Sequence, residues 1–128
     1  MKILALDTAT QSCSVAIIDD ELLLAELTRA NVKTHSRHLM DLIETVCLAA
    51  DLSVRDVDGF AVTIGPGSFT GLRIGISTIK GLAFSLSKPV AGVSSLDALA
   101  WQCAQSAYLI CPLLHARKKE VYTGRYRL

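Results

Sequence analysis

The sequence has little charge of either sign to spare: 13 Lys and Arg stand against 12 Asp and Glu, a formal net charge of +1. No basic surplus advertises nucleic-acid binding. It also lacks any apolar run of the length of a signal peptide or a membrane span, since the chain passes from Lys2 straight into an alternating apolar pattern; a cytoplasmic protein is expected. Its four cysteines, Cys13, Cys47, Cys103 and Cys111, lie far apart in mostly apolar patterns. Buried reduced thiols are favoured over a metal site or a disulfide framework. There is no internal repeat and no low-complexity tract. Two phosphate-binding signatures are also missing. Gly71 is followed by Leu72-Arg73 where a P-loop requires Lys-Ser or Lys-Thr, and the dinucleotide glycine pattern is out of register by one residue. No nucleophile elbow or catalytic triad can be assembled.

What remains is an α/β chain of 128 residues, half of them hydrophobic, enough for one real core. Residues 2–6 form a short apolar strand, residues 8–12 a polar turn and residues 13–18 a second strand, together a hairpin. Residues 21–29 read as a third antiparallel strand, with helix an alternative on composition. Leu39, Leu42, Ile43, Val46, Cys47 and Ala50 recur at helical spacing within 35–52, with Thr34 or Ser36 as the cap. Val54 and Val57 suit a single turn, and residues 59–64 are a nearly continuous apolar run of the kind found in a buried central strand. A helix over 70–87 is broken by Lys88-Pro89, and residues 90–93 make another strand. Ser95 or Asp97 caps a helix reaching residue 105. Residues 107–114 and 120–126 read as two further strands flanking the basic turn Arg117-Lys118-Lys119. The order predicts a mixed five-stranded sheet, antiparallel first and parallel later, in residues 1–106; residues 107–128 begin a second lobe.

The chemistry concentrates in Gly65-Pro66-Gly67-Ser68-Phe69-Thr70-Gly71-Leu72-Arg73-Ile74-Gly75. A strand running through a glycine turn into a helix start suits an anion, because free amides and the positive helix end both favour negative charge. Arg73 suits a phosphate or, more ordinarily, a carboxylate. Gly71 and Gly75 stand four apart, and Ser77, Gly81 and Ser85 repeat the spacing on a neighbouring ridge. Helical glycine costs about 1 kcal/mol against alanine, so close packing against the sheet or a partner helix is implied. On the partner reading, a bulky residue at Gly75 would weaken association and spare the fold. Asp7-Thr8-Ala9-Thr10 offers an acid and hydroxyls to a hydrated metal and a phosphate, or to local Asx and Ser/Thr turns. His35 and His38 are spaced as ligands, but no further donor joins them, and a capping or surface role is the simpler reading.

Asp7-Thr8-Ala9-Thr10, His35-Ser36, the run from Gly65 to Gly75, Gly92-Val93-Ser94-Ser95-Leu96 and Glu120-Val121-Tyr122 together resemble the bacterial TsaB family. The glycine run is the specific part; the aspartate hairpin is shared across the actin-like ATPase superfamily. The resemblance implies a ribonuclease H-like/actin-like ATPase lobe with helices on the sheet faces. It also implies a non-catalytic partner of TsaD in forming threonylcarbamoyladenosine at adenosine 37 of tRNAs reading ANN codons, with TsaE as third component and tRNA engaged through the complex. The implied contact, shared with a competing homodimer, uses the two long helices: His35, Leu39, Leu42, Ile43, Val46, Ser68, Phe69, Thr70, Gly71, Leu72, Arg73, Gly75, Ile76 and Ile79. No tightly bound cofactor, no metal and no activity of the chain alone are expected; ATP or ADP belongs at the complex interface. The alternatives are a nucleotide-binding ATPase-like enzyme using Asp7, Thr8 and Thr10, or a glycopeptidase homologue. His115 stands before Ala116-Arg117 where this family commonly has an aspartate. Family members are longer, so an N-terminal portion with some sheet surface left apolar and exposed is expected.

Overall fold

The computed structural model describes residues 1–30 and 36–128. Thr34 and His35, expected at the start of the first long helix, lie outside the described residues. Three antiparallel strands open the chain, β1 (Lys2–Asp7), β2 (Cys13–Asp19) and β3 (Leu22–Arg29), so the strand reading of the third holds. Helix α1 (Ser36–Ala49), a 3-10 turn (Val54–Asp56), β4 (Gly59–Gly65), α2 (Phe69–Leu86) and β5 (Val90–Ser94) follow. The chain then runs through α3 (Ser95–Trp101) to β6 (Leu113–His115) and β7 (Val121–Thr123). The main sheet has the order β3-β2-β1-β4-β5, with β4 parallel to β1 and β5 parallel to β4. β6 and β7 pair separately as an antiparallel hairpin.

The period-two pattern of the strands determines which face is dry. Register aligns Ile17 with Leu4 and Leu4 with Phe60, and one step along it aligns Val15 with Leu6 and Leu6 with Val62. These six side chains are at most 3% exposed and form one cluster with Leu39, Leu42, Ile43, Val46 and Cys47 of α1 and Ile79 and Ala83 of α2. The 3.6-residue spacing of the helical residues supplies the matching stripe. On the opposite face Ile3, Ala5, Ala16, Ile18 and Ala61 are only half-buried. The 3-10 turn begins with a reciprocal cap, in which Ser53 N donates to Asp56 at 2.7 Å and Arg55 N donates to Ser53 Oγ at 3.3 Å. At the end of α2, Ser87 adopts a left-handed conformation (φ 54°) and Lys88 N donates to Ala83 O at 2.9 Å, so the chain turns into Pro89 and β5.

Four features differ from the sequence expectation. α3 is capped by Ser94, whose Oγ accepts from Asp97 N at 3.4 Å, while Ser95 is buried inside the first turn. The helix ends at Trp101 instead of residue 105 because the next amides bond three residues back, Cys103 N to Ala100 O and Ala104 N to Trp101 O. The apolar run 107–114 is not one strand. Pro112 has no amide to donate, so pairing reduces to a bridge between Ile110 and Tyr126 followed by β6. The strand expected over 120–126 likewise reduces to β7 and that bridge.

Candidate functional site

At the carboxyl ends of β1 and β4 the turn after β1 is stitched to the start of α2. Asp7 Oδ1 accepts from Ala9 N at 2.9 Å and from Thr63 Oγ1 at 2.8 Å. The fully buried Thr8 donates its hydroxyl to Gly71 O at 2.7 Å. Ser68 N donates to Ala9 O at 2.7 Å, and Gly71 N donates to Ser68 Oγ at 3.3 Å, which makes Ser68 the cap of α2. The Gly65-Pro66 peptide is cis.

The glycines permit this contact. A Cβ on Gly67 would strike Ala9 O and come within 2.9 Å of Ala9 Cβ; on Gly71 it would strike Thr8 O, and on Gly75 it would strike Thr8 Oγ1. Gly71 and Gly75 are buried, and their four-residue spacing is a groove for Thr8, whose carbonyl lies against Gly71 and whose side chain lies against Gly75. Within the chain both positions are taken up by this internal contact. Leu39, Leu42, Ile43, Val46 and Ile79, also expected to meet a partner, lie in the core and are at most 6% exposed. Of the residues expected to meet a partner, Ser68, Phe69, Thr70 and Arg73 are exposed, and Leu72 and Ile76 are half-buried. Phe69 is 70% exposed, with the Arg73 guanidinium 5.3 Å from its ring centre. Thr70, Arg73, Ile74, Ser77 and Thr78 line a shallow depression of about 340 Å³. On the second ridge Ser77, Gly81 and Ser85 are exposed, and nothing stands within 4 Å of a Cβ on Gly81.

The polar atoms that invited a nucleotide reading serve the protein itself. One oxygen of Asp7 is taken twice, Thr8 is sealed, and two amides at the start of α2 have protein acceptors. Thr10 is exposed, its Oγ1 accepting from Ser12 N at 3.3 Å. Among the described residues no group of three or more His, Cys, Asp or Glu could hold a metal ion; His38 is half-buried on α1, and His35 lies outside. Cys13 and Cys47 are buried, and burial raises both thiol pKa values, with the Asp7 charge adding to the shift at Cys13. Cys103 and Cys111 are exposed, contrary to the buried reading of all four.

A wide cleft of about 1030 Å³ separates this junction from the β6–β7 hairpin. Gln11, Ser68 and Phe69 line one side, and His115, Arg117 and Tyr122 the other. Sequence reasoning missed the two ties that set these elements. One is Thr63 to Asp7, signalled only by a hydroxyl in an apolar strand. The other is Tyr126 Oη donating to Asp97 at 2.6 Å, which joins the end of the chain to α3 and raises the tyrosine pKa chiefly through that bond. Among the described residues no helix is long and apolar enough to cross a membrane.

A mixed sheet of order 3-2-1-4-5, with helices packed on it and a ligand-sized cleft at the carboxyl ends of its central strands, is a ribonuclease H-like/actin-like lobe. Solved structures with the same fold include a ROK hexokinase from Thermus thermophilus (TM-score 0.62, 17% identity, 98% of this chain and 46% of that one) and RuvC from the same organism (TM-score 0.53, 13% identity, 81% and 68%). At these identities the likeness is of fold alone. A family model described as "TsaD: tRNA N6-adenosine threonylcarbamoyltransferase" matches residues 24–128, and the chain belongs to this glycoprotease-like family, in its TsaB/YeaZ group. It is 37% identical over 127 residues to the tRNA threonylcarbamoyladenosine biosynthesis protein TsaB of Bacillus subtilis, covering 99% of this chain and 56% of that protein. The Escherichia coli protein of that name is 35% identical over 130 residues, with 99% and 55% covered. YeaZ from Pseudomonas aeruginosa superposes with a TM-score of 0.90 at 36% identity, over 99% of this chain and 60% of that one. The chain spans about half the length of the curated relatives it matches.

Proposed function

We propose that this chain is a non-catalytic partner of a TsaD-type transferase in threonylcarbamoylation of adenosine 37 of ANN-decoding tRNAs, with TsaE as third component. The observation that carries the reading is how polar and apolar groups are spent around α2. The hydrogen-bonding groups at its start are committed inside the chain, while Phe69 and Phe84 stand 70% and 88% exposed on its surface. Large exposed aromatics on a helix with small neighbours such as Ser77 and Gly81 suit a close helix–helix contact. The same surface suits a homodimer that competes with the transferase. Residues 107–128 serve in this reading as the opening of a second lobe, and ATP or ADP belongs to the assembled complex.

The test is size-exclusion chromatography of the chain mixed with purified TsaD. Co-elution is expected, and Phe69→Glu is expected to abolish it while leaving the circular dichroism spectrum unchanged. A folded chain that never co-elutes with TsaD would sink the reading. A nucleotide-binding enzyme is the second reading, favoured by the cleft and its cationic wall; ATP hydrolysis by the chain alone would support it.

A further inference from the structure

The overall charge of +1 conceals a strong segregation. Residues 115–128 carry five of the 13 basic residues, Arg117, Lys118, Lys119, Arg125 and Arg127, and one of the 12 acidic ones, Glu120. That segment is therefore +4, and residues 1–114, with eight basic and eleven acidic side chains, are −3. All five cations are exposed. Such a split within one chain suits contact with a polyanion, and a whole-chain balance cannot reveal it.

The tip of the hairpin is conformationally unusual. Glu120 N donates to Arg117 O, and the two central residues, Lys118 and Lys119, both sit at φ 59°. His115 and Val121 are the last paired residues of the hairpin, and within the five residues between them the turn 117–120 has positive φ at both central positions, as a type I′ turn does, for which Asn-Gly is the strongly preferred sequence. Side chains with a Cβ and a long stem seldom occupy that region. Two consecutive lysines are a poor choice for the turn itself, and they place two cations at its apex.

Aromatic surface lies beside the charge. Every residue of β7 is exposed, Tyr122 is 42% exposed, and Tyr122 lines the cleft together with Arg117, Lys118 and, from the opposite side, Phe69. Cations that track a backbone, beside aromatic faces on which bases stack, are the recognition chemistry of single-stranded nucleic acid. The cations are also strung along the chain from position 117 to 127, so they match a repeating polyanion better than one point anion. We propose that the β6–β7 hairpin is an RNA-contacting arm, in which Lys118 and Lys119 neutralise backbone phosphates and Tyr122 stacks on an unpaired base. The choice of RNA over another polyanion rests on the tRNA-modification reading above.

The experiment is fluorescence anisotropy of a labelled anticodon stem-loop RNA titrated with the full chain between 50 and 200 mM KCl. The informative variant is Lys118→Asn with Lys119→Gly, which removes two charges and gives the turn its preferred residues. Its melting temperature is expected to equal or exceed that of the parent, so weaker binding cannot be blamed on misfolding. Loss of two phosphate contacts is expected to reduce the log–log salt slope by about 1.4 and the affinity at 0.1 M salt by about 25-fold. Tyr122→Ala is expected to lower affinity about fivefold or more without changing that slope, and Tyr122→Phe to restore it. Unchanged affinity and slope in the turn variant would overturn the proposal. So would displacement of the RNA by equimolar ATP, which would make the cleft a mononucleotide site. Absence of RNA binding by the parent at 50 mM salt, with the turn variant dissociating a self-associated species in sedimentation, would overturn it in favour of contact with the acidic lobe of a second copy. Co-elution with TsaD, which the turn variant is expected to retain, reads the scaffold role separately.

Discussion

Replacing Gly75 by alanine sets two known effects against each other on one helix. Alanine is the better helix former by about 1 kcal/mol, so the intrinsic term is favourable. Its Cβ, however, would clash with Thr8 Oγ1 and lie 3.3 Å from Thr8 Cβ and Cγ2. Thr8 has nowhere to retreat: it is 0% exposed, and its hydroxyl is held by Gly71 O at 2.7 Å. Overpacking of a tight site costs about 1–3 kcal/mol, and turning the hydroxyl away leaves a buried donor unpaired at about another 1–3 kcal/mol. The balance is a loss centred near 3 kcal/mol, or a fall of about 10 °C in melting temperature for a domain of this size. Gly81→Ala is the control on the same helix. Nothing lies within 4 Å of its Cβ, so only the propensity remains and a gain of about 1 kcal/mol is expected. Urea denaturation of the two variants, and of Gly75→Ala in a Thr8→Ala background, measures both signs and the coupling between residues 8 and 75. A Gly75→Ala variant as stable as the parent, or coupling near zero, would refute the packing argument and return Gly75 to a partner surface.

Three further expectations follow from individual contacts. Ser68→Ala removes the cap of α2 and is expected to cost about 1 kcal/mol in the same denaturation assay, with Ser68→Thr largely neutral. Of the four thiols, Cys103 and Cys111 are expected to react rapidly with a chromogenic disulfide under native conditions, and Cys13 and Cys47 only after denaturant is added. Asp58 accepts the Lys2 amide at 2.7 Å, and that bond, first among the causes, lowers its pKa. A lowered carboxyl pKa stabilises the fold above the ordinary aspartate pKa, and the contribution is lost as pH falls through the folded value. Asp58→Asn is therefore expected to flatten the acid limb of the stability profile, which thermal melts across the acidic range would check.

Much of the sheet was legible because its signal is local. Alternation in residues 2–6 and 13–18 and the helical recurrence of Leu39, Leu42, Ile43 and Val46 each follow from a repeat that one buried face imposes. The boundaries that failed were decided by hydrogen bonds a pattern does not encode. Pro112 removed a ladder donor from an apolar run, and Ser94 took the capping role expected of Ser95 or Asp97. At the candidate site the glycine run was readable as a place of close approach, but its direction was not. Spacing cannot tell whether the visitor is a partner helix or the protein's own turn, and here it is Thr8 and Ala9, some sixty residues away in sequence. The charge segregation was in plain view, yet whole-chain summation erased it.

The fit between the first turn and α2 depends on three missing side chains. At Gly67, Gly71 and Gly75 every possible substitution adds atoms, and each addition points at the same two residues. The seam thus has no tolerance on one side: substitutions there can proceed only if Thr8 or Ala9 shrinks or moves first. Its sequence is constrained in order as well as in content, and Thr8 and Ala9 are packed against the start of an eighteen-residue helix that carries the exposed aromatics. A surface made of large side chains is thus seated by positions that have none.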